Sequence, residues 1–253
     1  MSSGPRPLDG ALVEAIAARA AEARDRIAGA GGDPLRVRIV AVTKGFGRDE
    51  VAAAYAAGLK EFGENYADEL ISKWDTVGHA ATWHFLGAVQ RNKVGRLAGL
   101  VDCWQAVARV VEGEAIRRHE AAVTPAVGGA GTPTRGDGAG GGDRPGSPWL
   151  LVEVDTTGLE GRGGCAPAQV PGVVAGLREI GCRVEGLMTV APVGEARLSR
   201  AAFDQVARLG GELGLAELSM GMSADLEQAV AAGATMVRLG TCLFGPRPQR
   251  RRL

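Results

Sequence analysis

The chain has 253 residues, and its 29 Lys and Arg residues are balanced by 29 Asp and Glu residues, which leaves a formal net charge of zero. This balance provides no overall attraction to nucleic acid or to an acidic membrane surface, and no apolar run is long enough to span a membrane. The four cysteines lack C-x-x-C spacing, which argues against a zinc or redox motif. We therefore expect a soluble, cytoplasmic protein without a disulfide framework.

Eight short apolar segments recur along the chain, and several are apolar at successive positions, as in strands buried on both faces of a parallel sheet. The predicted strands are 37–42, 61–63, 82–87, 101–107, 149–154, 183–190, 217–220 and 235–239. Helix-like segments precede and separate them: 12–27, 49–57, 68–74, 108–122, 170–180, 196–214 and 223–232, the last with Ser223 as its N-cap.

This alternation of strands and helices predicts an α/β fold, and the chain length suits a single (β/α)8 TIM barrel, for which about 250 residues is typical. A doubly wound open sheet is the alternative, because the sequence does not reveal strand order. Residues 125–148 are dominated by Gly and Pro and are expected to form a disordered surface insertion. Residues 248–253 are expected to be a solvated basic tail. The whole chain, 1–253, is otherwise one predicted domain.

Polar residues follow the first two predicted strands and lie within the third, and active sites in barrels of this kind lie at the end where the strands finish. Lys44 directly follows the first strand, and a partly desolvated lysine there has a lowered pKa and can form a Schiff base. An ordinary strand-end lysine fits the position equally well. Asn65 follows the second strand and suits either a ligand contact or a plain turn. His84 lies in the third strand, where it is either a ligand contact or a hydrogen-bonded core residue.

The loops after the last two strands favour a phosphate site. The segment from Ser219 to Asp225 is rich in small residues and leads into a helix, and Gly240 and Thr241 form a second turn of this kind. Backbone N–H groups at such positions bind phosphate, and barrels of this fold often place phosphate at these two loops. Together with Lys44, the loops predict a ligand that carries an aldehyde, a ring and a phosphate. Spacing alone does not name that ligand.

Five motifs in order resemble those of the pyridoxal phosphate homeostasis proteins, over about residues 37–247. They are Ala41-Val42-Thr43-Lys44, Phe62-Gly63-Glu64-Asn65-Tyr66, Trp83-His84-Phe85-Leu86-Gly87 with Gln90-x-Asn92-Lys93, Ser219-Met220-Gly221-Met222-Ser223-x-Asp225, and Val237-Arg238-Leu239-Gly240-Thr241 with Phe244-Gly245-x-Arg247. The chain departs from the family pattern at Thr43, where Ser is usual, and in lacking a proline shortly after Lys44.

The resemblance implies the barrel of the alanine racemase N-terminal domain, with pyridoxal 5′-phosphate (PLP) held as a Schiff base on Lys44. It also implies that a phosphate group is held by the last two loops, that Arg238 faces the pyridine nitrogen, and that Asn65 and His84 line the ring. The implied cofactor-binding set is Lys44, Asn65, His84, Ser219, Met220, Ser223, Arg238, Gly240 and Thr241. Within it, Ser219, Gly240 and Thr241 are the implied phosphate ligands.

The resemblance favours a non-catalytic holder of PLP that takes part in PLP homeostasis and can deliver the cofactor to PLP-dependent apoenzymes. Arginine at the ring nitrogen keeps that nitrogen unprotonated and makes the ring a weaker electron sink. The alternative is a PLP-dependent amino-acid racemase, but that reaction needs a second base, and the only tyrosines are Tyr55 and Tyr66. We expect no room for the second domain of such racemases, and therefore expect a monomer. A third hypothesis, a sugar-phosphate enzyme with Lys44 as its Schiff-base lysine, is disfavoured by Arg238 and the motif match.

Overall fold

The fold is a closed barrel of eight parallel strands, seen in a computed structural model that describes residues 8–123, 147–192 and 194–247. The strands are β1 Arg38–Val42, β2 Glu61–Glu64, β3 Thr82–Phe85, β4 Cys103–Val107, β5 Trp149–Glu153, β6 Arg183–Met188, β7 Glu217–Ser219 and β8 Met236–Leu239. Each strand pairs with the next, and β8 pairs with β1, with Ile39 opposite Val237. This last pairing closes the sheet, so the predicted (β/α)8 barrel is confirmed and the open doubly wound sheet was wrong.

Helices cover the outside of the barrel. They are α1 Gly10–Gly29, α2 Arg48–Ala56, α3 Ala67–Trp74, α4 Arg91–Leu97, α5 Val110–Val123, α6 Val170–Glu179, α7 Ala196–Glu212, α8 Leu226–Ala231 and α9 Thr241–Phe244. Short 3-10 turns occur at Gly78–Ala80 and Pro167–Gln169. Among the described residues, no helix combines the length and the apolar character needed to cross a membrane.

The sequence missed two helices and misplaced the start of a third. The seven residues of α4 include Gly95 and bury only Val94 and Leu97, which is too little periodicity to mark a helix. The α9 helix has only four residues. The N-cap of α8 is Asp225 rather than Ser223. The residues from Met222 to Asp225 form a turn instead of helix, closed by hydrogen bonds from the Met222 N–H to the Asp225 carboxylate (2.6 Å) and from the Asp225 N–H to the Met222 carbonyl oxygen (3.2 Å).

Most other predicted elements agree with the structure to within two residues at each end. The predicted insertion at 125–148 falls outside the described residues except for its last two positions, and the predicted tail at 248–253 lies wholly outside them.

Alternate strand residues face two separate cores. Large side chains such as Phe62, Trp83 and Trp104 are buried between the sheet and the helices. Smaller apolar side chains fill the inside of the barrel: Val40, Cys103, Ala106, Leu151, Met188 and Met236. Because side chains alternate along a strand, His84 between Trp83 and Phe85 points into the barrel, and the same alternation brings other polar residues to the interior.

Candidate functional site

Lys44 lies in a tight turn immediately after β1. The turn is closed by a hydrogen bond from the Phe46 N–H to the Thr43 carbonyl oxygen (2.9 Å). Gly45 occupies the third position of the turn with φ of 80°, the left-handed conformation that a type II turn requires at that position and that glycine adopts without strain. The turn therefore places Lys44 at the mouth of the barrel, at the end where the strands finish.

The Lys44 amine is chemically distinct from an ordinary surface lysine. Its side chain is half-buried and has no hydrogen-bond or ion-pair partner among the described residues. Burial lowers the pKa of Lys44, repulsion from Arg247 lowers it further, and Glu64 and Glu69 partly oppose both effects. A lowered pKa leaves more of the amine neutral near pH 7, and the neutral amine is the form that attacks a carbonyl group.

The loops after β7 and β8 bring two hydroxyl groups together. Ser223 Oγ lies 3.4 Å from Thr241 Oγ1, although the two residues are 18 positions apart. Gly240 stands directly before α9 and lies so close to β1 that a Cβ there would be 3.3 Å from the Val42 carbonyl oxygen. This arrangement joins the two loops that the sequence assigns to phosphate, beside the strand that carries Lys44.

Arg238 lies inside the barrel beneath this mouth and is 6% exposed. Its guanidinium donates to the carbonyl oxygen (2.6 Å) and hydroxyl (2.8 Å) of Ser219 and to the Thr189 carbonyl oxygen (2.7 Å). Burial lowers the pKa of Arg238 to about 10, against the attraction of Asp225 and Glu153, so the group stays charged at neutral pH. A guanidinium has five N–H donors, so two remain beyond these three contacts.

Three residues predicted to contact a cofactor lie deeper than the mouth. The hydroxyl of Ser219 is buried, donates to Gln105 Oε1 (2.6 Å) and accepts from Arg238. Met220 packs in the core between sheet and helices, and its N–H donates to the Met236 carbonyl oxygen. His84 is also fully buried. The sequence left open whether His84 is a ligand contact or a hydrogen-bonded core residue, and its burial matches the second interpretation.

The two ring nitrogens of His84 both have partners. Nε2 lies 2.9 Å from Glu61 Oε2, and Nδ1 lies 2.8 Å from Gln105 Nε2. Because the Gln105 amide nitrogen can only donate, Nδ1 accepts and Nε2 carries the hydrogen that points to Glu61. Gln105 thus connects His84 to Ser219, a role that sequence reasoning missed even though a lone amide in the apolar strand β4 could have signalled it.

Asn65 lies at the mouth after β2 and is half-buried. Its backbone is held close to the loop after β3, where a Cβ on Gly87 would come within 2.1 Å of the Asn65 carbonyl oxygen. Glu153, at the end of β5, lines a cavity of about 590 Å³ together with residues that follow β3, β4 and β5. Sequence reasoning did not single out Glu153.

These residues fit a phosphorylated aromatic aldehyde. The free amine with a lowered pKa suits an aldehyde, the paired hydroxyls and small residues of the last two loops suit a phosphate, and the buried cation with spare N–H donors suits a ring nitrogen. The structural observations behind this fit are the N–H donors of Arg238 beyond its three hydrogen bonds and the convergence of the Ser223 and Thr241 hydroxyls.

Comparisons with known proteins agree with this fit. The family model for the alanine racemase N-terminal domain matches residues 13–248. The chain is 36% identical to a pyridoxal phosphate homeostasis protein of Deinococcus radiodurans, over 87% of this chain and 95% of the relative. It is 33% identical to the protein of that name in Pseudomonas aeruginosa, over 93% of this chain and 96% of the relative.

Solved structures give the same likeness. PipY of Synechococcus elongatus, solved with PLP bound, superposes with a TM-score of 0.73 at 31% identity and covers 91% of this chain and 100% of its own. An alanine racemase of Corynebacterium glutamicum superposes with a TM-score of 0.62 at 16% identity, over 94% of this chain and 62% of its own. The second likeness concerns the fold alone.

Proposed function

Because the chain belongs to the pyridoxal phosphate homeostasis proteins, within the alanine racemase N-terminal domain family, we propose that it binds PLP as a Schiff base on Lys44 and serves in the homeostasis of that cofactor. The single observation that carries the proposal is the Lys44 amine, which is half-buried at the barrel mouth, unpartnered among the described residues and has a lowered pKa. A free aldehyde reacts with exposed amines, so a protein that sequesters it has an evident use.

The phosphate group is assigned to the loops after β7 and β8. Ser223 and Thr241 present converging hydroxyls, and Gly240 lets the loop after β8 pack against the Val42 carbonyl oxygen of β1. Ser219 and Met220, from the predicted set, do not bind the phosphate directly in this proposal. The Ser219 hydroxyl is already bonded to Gln105 and Arg238, and Met220 is packed in the core.

Arg238 is assigned to the pyridine nitrogen of the cofactor. Bound PLP supplies an electrophilic aldehyde and an electron-withdrawing ring, and the ring withdraws electrons best when its nitrogen is protonated. A guanidinium that remains charged at neutral pH donates a hydrogen bond to that nitrogen and keeps its own proton, so the nitrogen would stay unprotonated. His84 supports this arrangement from below through Gln105 and Ser219, and Asn65 borders the ring.

The same geometry favours a holder of the cofactor over an amino-acid racemase. A racemase of this fold needs a second acid–base group on the face of the substrate opposite Lys44. Tyr66 is 57% exposed at the start of α3, and Tyr55 lies on α2 with its ring under the Lys60 ammonium (3.2 Å). Neither tyrosine is enclosed with Lys44. We accordingly propose a non-catalytic, monomeric, cytoplasmic protein that passes PLP to apoenzymes.

Visible absorption spectroscopy with two lysine variants tests this function. Purified protein mixed with PLP should develop the yellow band of a lysine Schiff base, and Lys44→Ala should abolish the band while the far-UV circular dichroism stays unchanged. The matched control is Lys60→Ala, which removes an exposed lysine on the outside of the barrel. A band that survives in Lys44→Ala would contradict the assignment. Robust conversion of L-alanine to D-alanine by the wild type would favour the racemase instead.

A further inference from the structure

A buried ion-pair cluster of Glu64, Glu69 and Lys73 lies against the turn that carries Lys44. Lys73 is 3% exposed, and its Nζ lies 2.7 Å from Glu64 Oε1 and 2.9 Å from Glu69 Oε2. The same ammonium donates to the Thr43 carbonyl oxygen (2.8 Å). An ammonium has three donors, so the three contacts account for all of them. We call Glu64, Glu69 and Lys73 the Lys73 cluster.

The two carboxylates of the Lys73 cluster hold the turn on both sides of Lys44. Glu64 Oε1 accepts a hydrogen bond from the Thr43 hydroxyl (2.6 Å), and Glu69 Oε2 accepts one from the Gly45 N–H (2.7 Å). Residues before and after Lys44 are therefore fixed by a charged group, while the Lys44 amine itself is left without a partner among the described residues.

The Lys73 cluster contributes little net stability to the fold, because burying its charges carries a desolvation cost. Glu64 is fully buried, its Oε2 has no hydrogen-bond partner, and burial raises the pKa of its carboxyl group despite the neighbouring Lys73. Buried ion pairs can often be replaced by apolar side chains with no loss of stability, because desolvation offsets their attraction. The cluster therefore calls for a reason beyond stability, and its contacts with the Lys44 turn supply one.

We propose that Lys73 is a positioning residue for Lys44: its buried ammonium holds together the two carboxylates that fix the turn, and so directs the Lys44 amine toward the cofactor. This inference rests on the function proposed above, because it concerns how Lys44 meets PLP. Lys73 does not touch the cofactor in this account and acts only through the turn and through its charge.

The charges around Lys44 make the proposal testable by pH. Within the described part of the chain, three charged groups act on the Lys44 ammonium: Glu64 from β2, Glu69 from α3, and Arg247 from the segment after α9. Lys73 pairs with both of these carboxylates and so weakens their attraction for Lys44. With Lys73 removed, the two carboxylates hold the Lys44 ammonium more strongly. With the Glu64 charge removed, only the Glu69 carboxylate remains, and the Lys44 ammonium is held less strongly. The two substitutions should therefore move the pH dependence of Schiff-base formation in opposite directions, which a merely structural role would not do.

The experiment measures how fast the Schiff-base band appears when PLP is added to cofactor-free protein, across the pH range in which the protein stays folded. Lys73→Met should slow formation at neutral pH on the order of tenfold or more, since small misplacements of a reacting group have effects of this size, and should move the profile to higher pH. Glu64→Gln should move the profile to lower pH. The matched control Lys60→Met should behave as the wild type.

A second probe separates positioning of Lys44 from damage to the pocket. Pyridoxine 5′-phosphate has the ring and the phosphate but no aldehyde, so its affinity does not depend on the Lys44 amine reacting. Lys73→Met should bind it as the wild type does, and Lys73→Arg, which keeps the charge, should recover part of the lost rate. If Lys73→Met does not fold, Glu69→Ala is measured instead. It removes the acceptor of the Gly45 N–H and keeps the pair between Lys73 and Glu64. It should slow formation through the loosened turn, while its pH profile moves to lower pH, as in Glu64→Gln, because a carboxylate that attracts the Lys44 ammonium is lost.

The outcomes distinguish this inference from the proposed function. A wild type that forms no Schiff base would overturn both. A wild type that forms it, with Lys73→Met or its substitute Glu69→Ala showing the same rate and the same pH profile, would overturn only the role of Lys73. A parallel loss of pyridoxine 5′-phosphate binding in the variant, or shifts in the same direction for Lys73→Met and Glu64→Gln, would also overturn it.

Discussion

The Arg238 guanidinium donates two hydrogen bonds to Ser219, one to the carbonyl oxygen at 2.6 Å and one to the hydroxyl at 2.8 Å. The Ser219 hydroxyl donates a hydrogen bond to Gln105, and the Gln105 amide nitrogen donates one to His84. The other ring nitrogen of His84 faces Glu61. A continuous chain of hydrogen bonds thus runs through the barrel interior and ends at the cation assigned to the cofactor ring. The orientation of Arg238 is set by residues that need not touch the cofactor.

Ser219→Ala tests this support of Arg238. The substitution leaves Gln105 Oε1 and one Arg238 N–H without a partner inside the barrel, which should reduce the free energy of unfolding by ~1–3 kcal/mol. It should also weaken PLP binding, because Arg238 is less firmly held. Urea denaturation and a PLP titration measure the two effects.

The control for this prediction is Ser199→Ala. Ser199 is also buried and donates to the Pro192 carbonyl oxygen (3.1 Å), but it lies on α7, outside the barrel interior. It should lose stability and keep the wild-type affinity for PLP. Equal affinities in Ser219→Ala and the wild type would show that Ser219 does not support Arg238.

Gly87→Ala should disrupt the loop contact beside Asn65. An ideal Cβ on Gly87 would lie 2.1 Å from the Asn65 carbonyl oxygen, so one of the two loops has to move. We expect a loss of ~1–3 kcal/mol in the free energy of unfolding, as for other overpacked sites, with weaker PLP binding. Thermal and urea denaturation measure it.

Gly172→Ala is the matched substitution for Gly87→Ala. Gly172 lies in α6, and a Cβ there meets nothing within 4 Å. Alanine is the better helix former by roughly 0.5–1 kcal/mol, so this variant should be as stable as the wild type or more so. If Gly87→Ala were equally well tolerated, the close approach of the two loops would be refuted.

Glu153→Gln should stabilise the protein at pH values above the raised pKa of Glu153. Burial raises the pKa of Glu153, and the attraction of Arg238 does not outweigh it. A carboxyl group whose pKa is raised on folding favours the fold in its protonated form, below its unfolded pKa of about 4.3, and this advantage is lost as the pH rises through the folded value. Glutamine imitates the protonated form at every pH, so the gain over the wild type should appear as the pH rises.

Melting temperatures of Glu153→Gln and the wild type over a pH series measure this effect. Glu14→Gln serves as the control, because Glu14 is exposed on α1 and has no partner among the described residues. It should show no such divergence. A Glu153→Gln variant that melts below the wild type at alkaline pH would mean that its carboxylate is held by attraction rather than penalised by burial.

The sequence predicted the barrel well because local signals determine it. Short apolar runs alternate with helical segments, and the length fits eight units. The sequence-based prediction failed where the apolar pattern was short or where two residues could serve as the N-cap. The α4 helix carries only two buried apolar residues, and Ser223 and Asp225 both suit the N-cap of α8.

The site was harder to predict, because depth inside a barrel is a property of the tertiary structure. The motif placed Lys44 at the mouth as expected, but it could not tell that the hydroxyl of Ser219 and both ring nitrogens of His84 would be used by other residues of the interior. The contact of Lys73 with Glu64 joins a helix to a strand, and no motif in the sequence indicated it. Hydrogen-bond partners of this kind depend on how helices and strands pack together, whereas the sequence patterns predict each helix or strand by itself.

The most direct test of the account is to reduce the PLP-loaded protein with borohydride and to locate the modified lysine by peptide mass spectrometry. The chain has only the lysines at 44, 60, 73 and 93, so the assignment is unambiguous. We predict one phosphopyridoxyl group, on the peptide that contains Lys44. Label on Lys60, Lys73 or Lys93 with Lys44 unmodified would contradict the central claim.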